Sequence, residues 1–272
     1  MDGSPTTTLQ TSEEWEQFLA GTLPMLRAGR NFLRLIPSAP RCKLCSAPFA
    51  GAGGRILRLI GKTPWERNPR YCKPCGNWLT NRGPGGAELE LTLLFADVRG
   101  STTIAASMTP SEYAEVINRF FRVGTAVFAR YEAILDQLVG DEVIGLFLPG
   151  YAGADHARVA IEAACALLAE TGHGPGRDPW IPIGVGVHTG LTFVGSLGTK
   201  GAFTTDFTAV GDSVNTTARL ASAAAAGEIL VSHASSSAAS LDLADLEERQ
   251  LELKGIPEPV GARVLRSGPR FL

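Results

Sequence analysis

The sequence predicts an α+β fold: a largely antiparallel sheet under amphipathic helices, preceded by a small four-cysteine unit. Three observations carry this reading. From residue 87 onward, strand-like apolar runs alternate with helix-like ones. Four of the five cysteines fall earlier, in two Cys-x-x-Cys pairs, Cys42/Cys45 and Cys72/Cys75. Charge divides at the same place. Residues 1–86 carry 12 Lys and Arg against 5 Asp and Glu, an excess of +7, whereas residues 87–272 carry 13 against 22, an excess of −9.

The elements follow in order. TSEEWEQFLAG reads as a short helix, with Thr11 and Glu14 at capping-box spacing and Trp15, Phe18 and Leu19 on one face. Pro24 breaks or restarts it. Residues 1–40 form an N-terminal helical segment, and residues 41–80 form the cysteine unit. The breaker cluster NRGPGGAE (81–88) ends that unit, and residues 87–266 form the larger domain. There, LELTLLFAD is a strand, and PSEYAEVINRFFRVGTAVFAR (110–130) is an amphipathic helix with Pro110 in its first turn. YEAILDQLVGDEVIGLFLP is two strands meeting at Gly140 and Asp141. Residues 153–171 are a second helix. IPIGVGVHTGLTFVGSLG is a pair of Gly-punctuated strands, and DSVNTTARLASAAAAG is a third helix ending at Gly227. EILVS and RQLELKGIPEPVGARVLR supply the last strands.

Composition bounds the class. With 44% hydrophobic and 19% charged residues, the chain reads as an ordinary globular protein. It has no apolar run of the ~18–20 residues a membrane span needs. The polar start MDGSPTTTLQ lacks a signal-peptide pattern, so a cytoplasmic protein is expected. The basic N-terminal part could touch nucleic acid, a membrane surface or an acidic partner, or be a solvated face. GGRILRLIGKTPWERNPRYCKPC mixes Arg and Lys with Trp65 and Tyr71. Those aromatics read better as the core of a small metal unit than as a nucleic-acid surface. The four cysteines match a tetrahedral structural Zn²⁺ site, with redox-active pairs as the alternative. Cys165 reads as a buried small hydrophobe and His188 as structural.

Asp97 follows an apolar strand, and Asp141 sits at a hairpin tip 44 residues later. If the strand lies beside the hairpin, the two carboxylates converge and need a cation, because paired acids repel. A turn former or helix cap is the plainer reading of each. Gly100 would let the chain bend close to a phosphate. In FTAVGDSVNTTARL, Asp212 or Ser213 can cap a helix that puts Asn215 and Arg219 one turn apart on one face. An amide and a guanidinium so placed suit a sugar oxygen and a phosphate.

FADVRGST, VGDEVIGLF, GVGVHTG and FTAVGDSVNTTARL stand in the order found in class III nucleotidyl cyclases, and residues 87–266 resemble the catalytic domain of that family. The resemblance implies a ferredoxin-like (palm-type) antiparallel sheet with helices on one face. It implies conversion of ATP or GTP to a 3′,5′-cyclic nucleotide and pyrophosphate. Asp97, Asp141 and the carbonyl of Val98 would hold two Mg²⁺ or Mn²⁺ ions per site. Asn215 would orient the ribose, and Arg219 would stabilise charge on the transferring phosphate. The family builds its site between two catalytic domains, which implies a homodimer with shared active sites. Base selection falls on Pro182 and Thr208. The Thr208 hydroxyl leans towards ATP, whereas Pro182 stands where adenylate cyclases place Lys and offers the base no polar group. A catalytically weak or inactive nucleotide-binding domain is therefore the alternative reading. The zinc unit would regulate how the two halves meet.

Overall fold

The structure, a computed structural model, describes residues 10–197, 206–252 and 258–266, apart from 12, 21–28, 31, 34, 37–39, 43, 67, 68, 70, 83 and 84. Pro24 and the middle of LELKGIPEPV lie outside the described residues. The chain divides into two units, residues 1–89 with 193–208, and residues 90–192 with 209–272.

The first unit begins with β1 (Gln10–Thr11) and α1 (Glu13–Leu19), and continues with α2 (Gly51–Leu59) and α3 (Lys73–Arg82). β1 pairs in parallel with the start of β2 (Gly85–Val98), setting Thr11 beside Gly86. Thr11 is therefore the last residue of β1. α1 buries Trp15 and Leu19. Trp15 meets Trp78 edge-on at 5.2 Å and stacks on Phe207 at 6.3 Å. Tyr71 is fully buried, and its hydroxyl accepts the Phe207 N–H at 3.2 Å. The aromatics of the cysteine region are thus core.

The second unit continues β2 and adds α4 (Ser101–Ala106), α5 (Pro110–Arg130), β3 (Ile134–Val139), β4 (Glu142–Phe147), α6 (Pro149–Ala152) and α7 (His156–Glu170). Next come β5 (Ile183–Leu197) and β6 (Asp206–Val210), whose residues 193–208 belong to the first unit, then α8 (Asp212–Ala223), β7 (Glu228–Ser232), α9 (His233–Ala238), β8 (Glu248–Leu251) and β9 (Val260–Arg266). The strand order is β3-β4-β2-β5-β7-β9-β8. Pairing is antiparallel at β3/β4, β2/β4, β7/β9 and β8/β9, and parallel at β5/β7.

α5 forms because Phe120, Gly124, Val127 and Phe128 recur on one face, and a capping box between Thr109 and Glu112 closes its first turn. Its Phe120 and Phe128 join Leu94 and Ala96 of β2, Val185 and Val187 of β5, Ile229 and Val231 of β7, and Leu167 and Leu168 of α7 in one core. Truncating Phe120 to Ala would cost about 3–5 kcal/mol. The other face of β7 carries Leu230, which packs with Leu220 of α8 and Val264 of β9. The one-face arrangement therefore holds for α5, α7 and α9, while α8 covers the opposite face.

Two expectations are corrected. The stretch read as two Gly-punctuated strands is a single 15-residue strand, β5. Its glycines serve close approach rather than turning: a Cβ on Gly186 would stand 2.4 Å from the Ala221 nitrogen of α8. α8 ends at Ala223 rather than Gly227, whose N–H instead donates to the Ile183 carbonyl at 2.8 Å.

Candidate active site

Strand register brings the two aspartates to one rim. β2 runs beside β4 with Asp97 opposite Glu142, and the Val98 N–H donates to the Asp141 carbonyl at 3.2 Å. Gly140, at φ 60°, makes the turn that puts Asp141 there. Burial pushes the Asp97 carboxyl up from its ordinary value, Arg99 pulls it back, and the charge of Asp141 pushes it further up. Burial, with Asp97 and Asp141 adding to it, pushes Glu142 up to about 7. Three acids thus crowd one rim, and among the described residues Arg99 and the Val98 N–H pull the other way.

Arg99 has more than one role. Its guanidinium pairs with Asp97 Oδ2 and donates to the Ser222 carbonyl at the end of α8 (2.8 Å). Its backbone N–H donates to the Pro182 carbonyl at 2.8 Å. Pro182 therefore contributes a backbone acceptor to the rim, one residue before β5 begins. Gly100, at φ 68°, precedes α4. Tyr113 of α5 also reaches the rim: burial and the charges of Asp141 and Asp97 push its hydroxyl up, while a hydrogen bond with Ser101 pulls it down. Sequence reading gave no role to Glu142 or Tyr113. The hairpin register could have flagged Glu142, whereas Tyr113 is brought in only by tertiary packing.

α8 opens at Asp212 after Gly211, with no side-chain cap, so neither Asp212 nor Ser213 caps it. Ser213 is used differently, donating to the Leu191 carbonyl at 2.8 Å and so tying the helix to β5. Leu220 and Ala221 are buried, whereas Asn215, Arg219 and Ser222 are exposed at i, i+4 and i+7. Asn215 and Ser222 are thus about 10 Å apart along the axis. Neither Asn215 nor Arg219 makes a side-chain hydrogen bond or ion pair among the described residues. Thr208 is half-buried on β6.

His188 is structural. It bonds Ser232 Oγ at 2.9 Å, and burial pulls it down to about 4. Ser232 continues a buried chain of hydroxyls through Ser235 (3.2 Å), Thr189 (3.0 Å) and Thr92 (2.8 Å) to His156 Nδ1 (2.9 Å). Each member satisfies the next, which fixes β2, β5 and β7 against one another.

In the first unit the four cysteines converge. The Sγ atoms of Cys42, Cys45, Cys72 and Cys75 lie within 4.8 Å of one another, and none of the five cysteines is in a disulfide. Cys45 and Cys72 are 3.6 Å apart, against about 3.8 Å for two ligands of a tetrahedral centre with Zn–S bonds of about 2.3 Å. The Cys72 N–H donates to Cys42 Sγ at 3.2 Å, and Lys62 Nζ approaches Cys45 Sγ at 3.7 Å. Burial pushes the Cys42 thiol well up, while hydrogen bonding, from Cys42 first, draws Cys45 well down. This donor set fits a metal ion. Cys165 is buried in α7, and burial pushes its thiol up to about 12.

The sheet, its helices and the acid rim define a palm-type catalytic domain. The chain belongs to the adenylate and guanylate cyclase catalytic domain family, whose family model matches residues 87–261. Adenylate cyclase 1 of Rhizobium meliloti (strain 1021) is 31% identical over 136 residues, which cover 48% of this chain and 20% of that protein. Atrial natriuretic peptide receptor 2 of Rattus norvegicus is 30% identical over 183 residues, covering 65% of this chain and 17% of the receptor. The match thus spans a fifth or less of these relatives' length. Among solved structures, the guanylyl cyclase Cya2 aligns with a TM-score of 0.59 at 28% identity, covering 68% of this chain and 96% of that one. The adenylyl cyclase CyaB from P. aeruginosa aligns with a TM-score of 0.57 at 28% identity, covering 68% and 98%.

Proposed function

We propose that residues 87–266 cyclise a nucleoside triphosphate, ATP in preference to GTP, to a 3′,5′-cyclic nucleotide and pyrophosphate. The observation that carries this is the convergence of Asp97 and Asp141 on one rim, with their repulsion only partly offset by Arg99. Asp97, Asp141 and the Val98 carbonyl would hold two divalent cations, Mg²⁺ or Mn²⁺. Hard oxygen donors of this kind suit such ions, which the family usually uses. When bound, the cations neutralise triphosphate charge and acidify the ribose 3′-hydroxyl. The Asn215 amide orients the ribose so that its 3′-oxygen lines up with the α-phosphorus as pyrophosphate departs. The Arg219 guanidinium stabilises charge on the transferring phosphate.

A homodimer supplies the two halves. Asn215 and Arg219 stand on an exposed helix face without partners among the described residues, as expected of groups that serve a second copy. Thr208 favours ATP. Pro182 favours a second reading, a catalytically weak nucleotide-binding domain, because its side chain gives the base nothing. Residues 1–40 and 41–80 are the N-terminal segment and the zinc unit, in which Cys42, Cys45, Cys72 and Cys75 hold a structural Zn²⁺ that positions the dimer. A cytoplasmic placement belongs to the same proposal.

Product analysis with ATP and GTP in parallel, with Mn²⁺ or Mg²⁺, tests the activity, and Asp97→Ala should abolish turnover. Co-expressing Asp97→Ala with Arg219→Ala tests sharing. Each variant alone is inactive, and a mixed dimer retains one intact site, so the mixture should recover about a quarter of wild-type turnover. No recovery would place both halves in one chain.

A further inference from the structure

Helix α2 carries a surface that neither cyclisation nor the cysteine cluster uses. It buries Gly53, Gly54 and Leu57, and leaves Ile56, Leu59 and its C-cap residue Ile60 exposed by 65%, 87% and 65%. These three stand at i, i+3 and i+4, so they form one aliphatic stripe. Exposed Arg55 borders it. Phe32 and Leu35 of the same unit are exposed by 66% and 80%, and an Ile36 methyl lies against Gly53, which sets that segment beside the helix. Isolated exposed aliphatics mean little, but a cluster of this kind marks an interaction surface.

Charge decides what covers it. Residues 1–86 carry an excess of +7, which a zinc ion held by four thiolates would bring to about +5. A second copy docked stripe to stripe would bring two such basic regions together and set them repelling each other. An anionic bilayer surface gains twice: the aliphatic stripe enters the headgroup boundary, and the Arg55 side chain meets lipid phosphates and carboxylates. We propose that α2 is a peripheral membrane-docking element, with Ile56, Leu59 and Ile60 inserted and Arg55 at the headgroups of anionic lipid. No helix among the described residues is long and apolar enough to cross a membrane, so the attachment is interfacial. A net-basic region plus a short apolar stripe supplies the two signals that stable but reversible attachment requires. The proposal is independent of whether the other domain turns over nucleotide.

The test is co-sedimentation of the full chain with vesicles of phosphatidylcholine alone and of phosphatidylcholine with about a third phosphatidylserine. Binding is expected only to the anionic vesicles, weakening as salt rises from about 0.1 to 0.5 M. Leu59→Glu should reduce that binding at least about tenfold and Arg55→Gln several-fold. Both positions are exposed, so metal content and thermal midpoint should match wild type and show that the variants fold. No sedimentation with anionic vesicles at low salt overturns the proposal, as does Leu59→Glu binding like wild type or equal binding to neutral vesicles. A wild-type solution mass that Leu59→Glu alone lowers, without vesicle binding, gives the stripe to a second copy instead.

Discussion

Two acidic sites lie on the same sheet, and their carboxylates are displaced in opposite directions. Glu228, at the start of β7, is 5% exposed, yet it is held down to about 2, first by its hydrogen bonds with Arg249. Arg249 grips it with both terminal nitrogens at 2.7 and 2.9 Å, Arg266 adds a bond of 2.6 Å, and the Ala225 N–H adds one of 3.1 Å. At the other site Asp97 and Glu142 are both pushed up, with Asp141 adding its charge. Among the described residues, two arginines and a backbone donor serve one carboxylate, whereas one arginine and the Val98 N–H serve a group of three. A site whose charge the fold itself balances is structural. One left overloaded with negative charge is poised to take cations from outside.

The sharpest break of this contrast is Asp97→Asn. Turnover should fall by about 10³-fold or more, the scale expected when a metal-binding carboxylate is lost. Without divalent ions, the thermal midpoint should rise, because the variant removes one of the repelling charges. Saturating Mn²⁺, at about a hundred times its Kd, should stabilise wild type by about 2.7 kcal/mol and the variant by much less. A variant that loses stability in metal-free buffer would show that the rim is already balanced.

Glu228→Gln is the mirror test. It should leave kcat unchanged and cost about 3 kcal/mol at pH 7, read by denaturant unfolding. The sign follows from the lowered value. The folded state keeps Glu228 ionised down to about pH 2, whereas the unfolded chain protonates it near the ordinary 4.5. The gap between wild type and variant should therefore be full above pH 4.5 and close as the pH falls towards 2. A gap independent of pH would mean that lost packing, not charge, sets the cost.

Much of this contrast was legible in the residues. The apolar run LTLLFA announced a buried strand, and the Gly140–Asp141 tip announced the hairpin that carries the second acid. Spacing alone put Asn215 and Arg219 on one helix face, and the two Cys-x-x-Cys pairs marked the cluster. What stayed hidden depends on tertiary approach. Gly184, Gly186 and Gly190 of β5 look like turns in one dimension, but they are spaces for α8 and its C-cap. Ser213 looks like a cap but ties α8 to β5. Glu228 drew no notice, because its partners Arg249 and Arg266 lie 21 and 38 residues away and meet it only when β7, β8 and β9 align.

The smallest expected effect concerns Pro182, a rim position that contributes no side-chain polarity. Pro182 gives its carbonyl to the Arg99 N–H and stands one residue before β5, where no ladder donor is needed. Pro182→Lys keeps that carbonyl and adds an ammonium within reach of any base bound at this position. A single hydrogen bond of this kind is worth about 0.5–1.5 kcal/mol, so the ratio of kcat/KM for ATP over GTP should shift by about two- to tenfold. A contact made equally to substrate and transition state would appear in KM with kcat unchanged. A gain confined to kcat would mean that the substitution re-poses Arg99, and through it Asp97, rather than reading the base. An unchanged ratio with unchanged KM would remove Pro182 from base selection and leave Thr208 as the sole residue assigned to it.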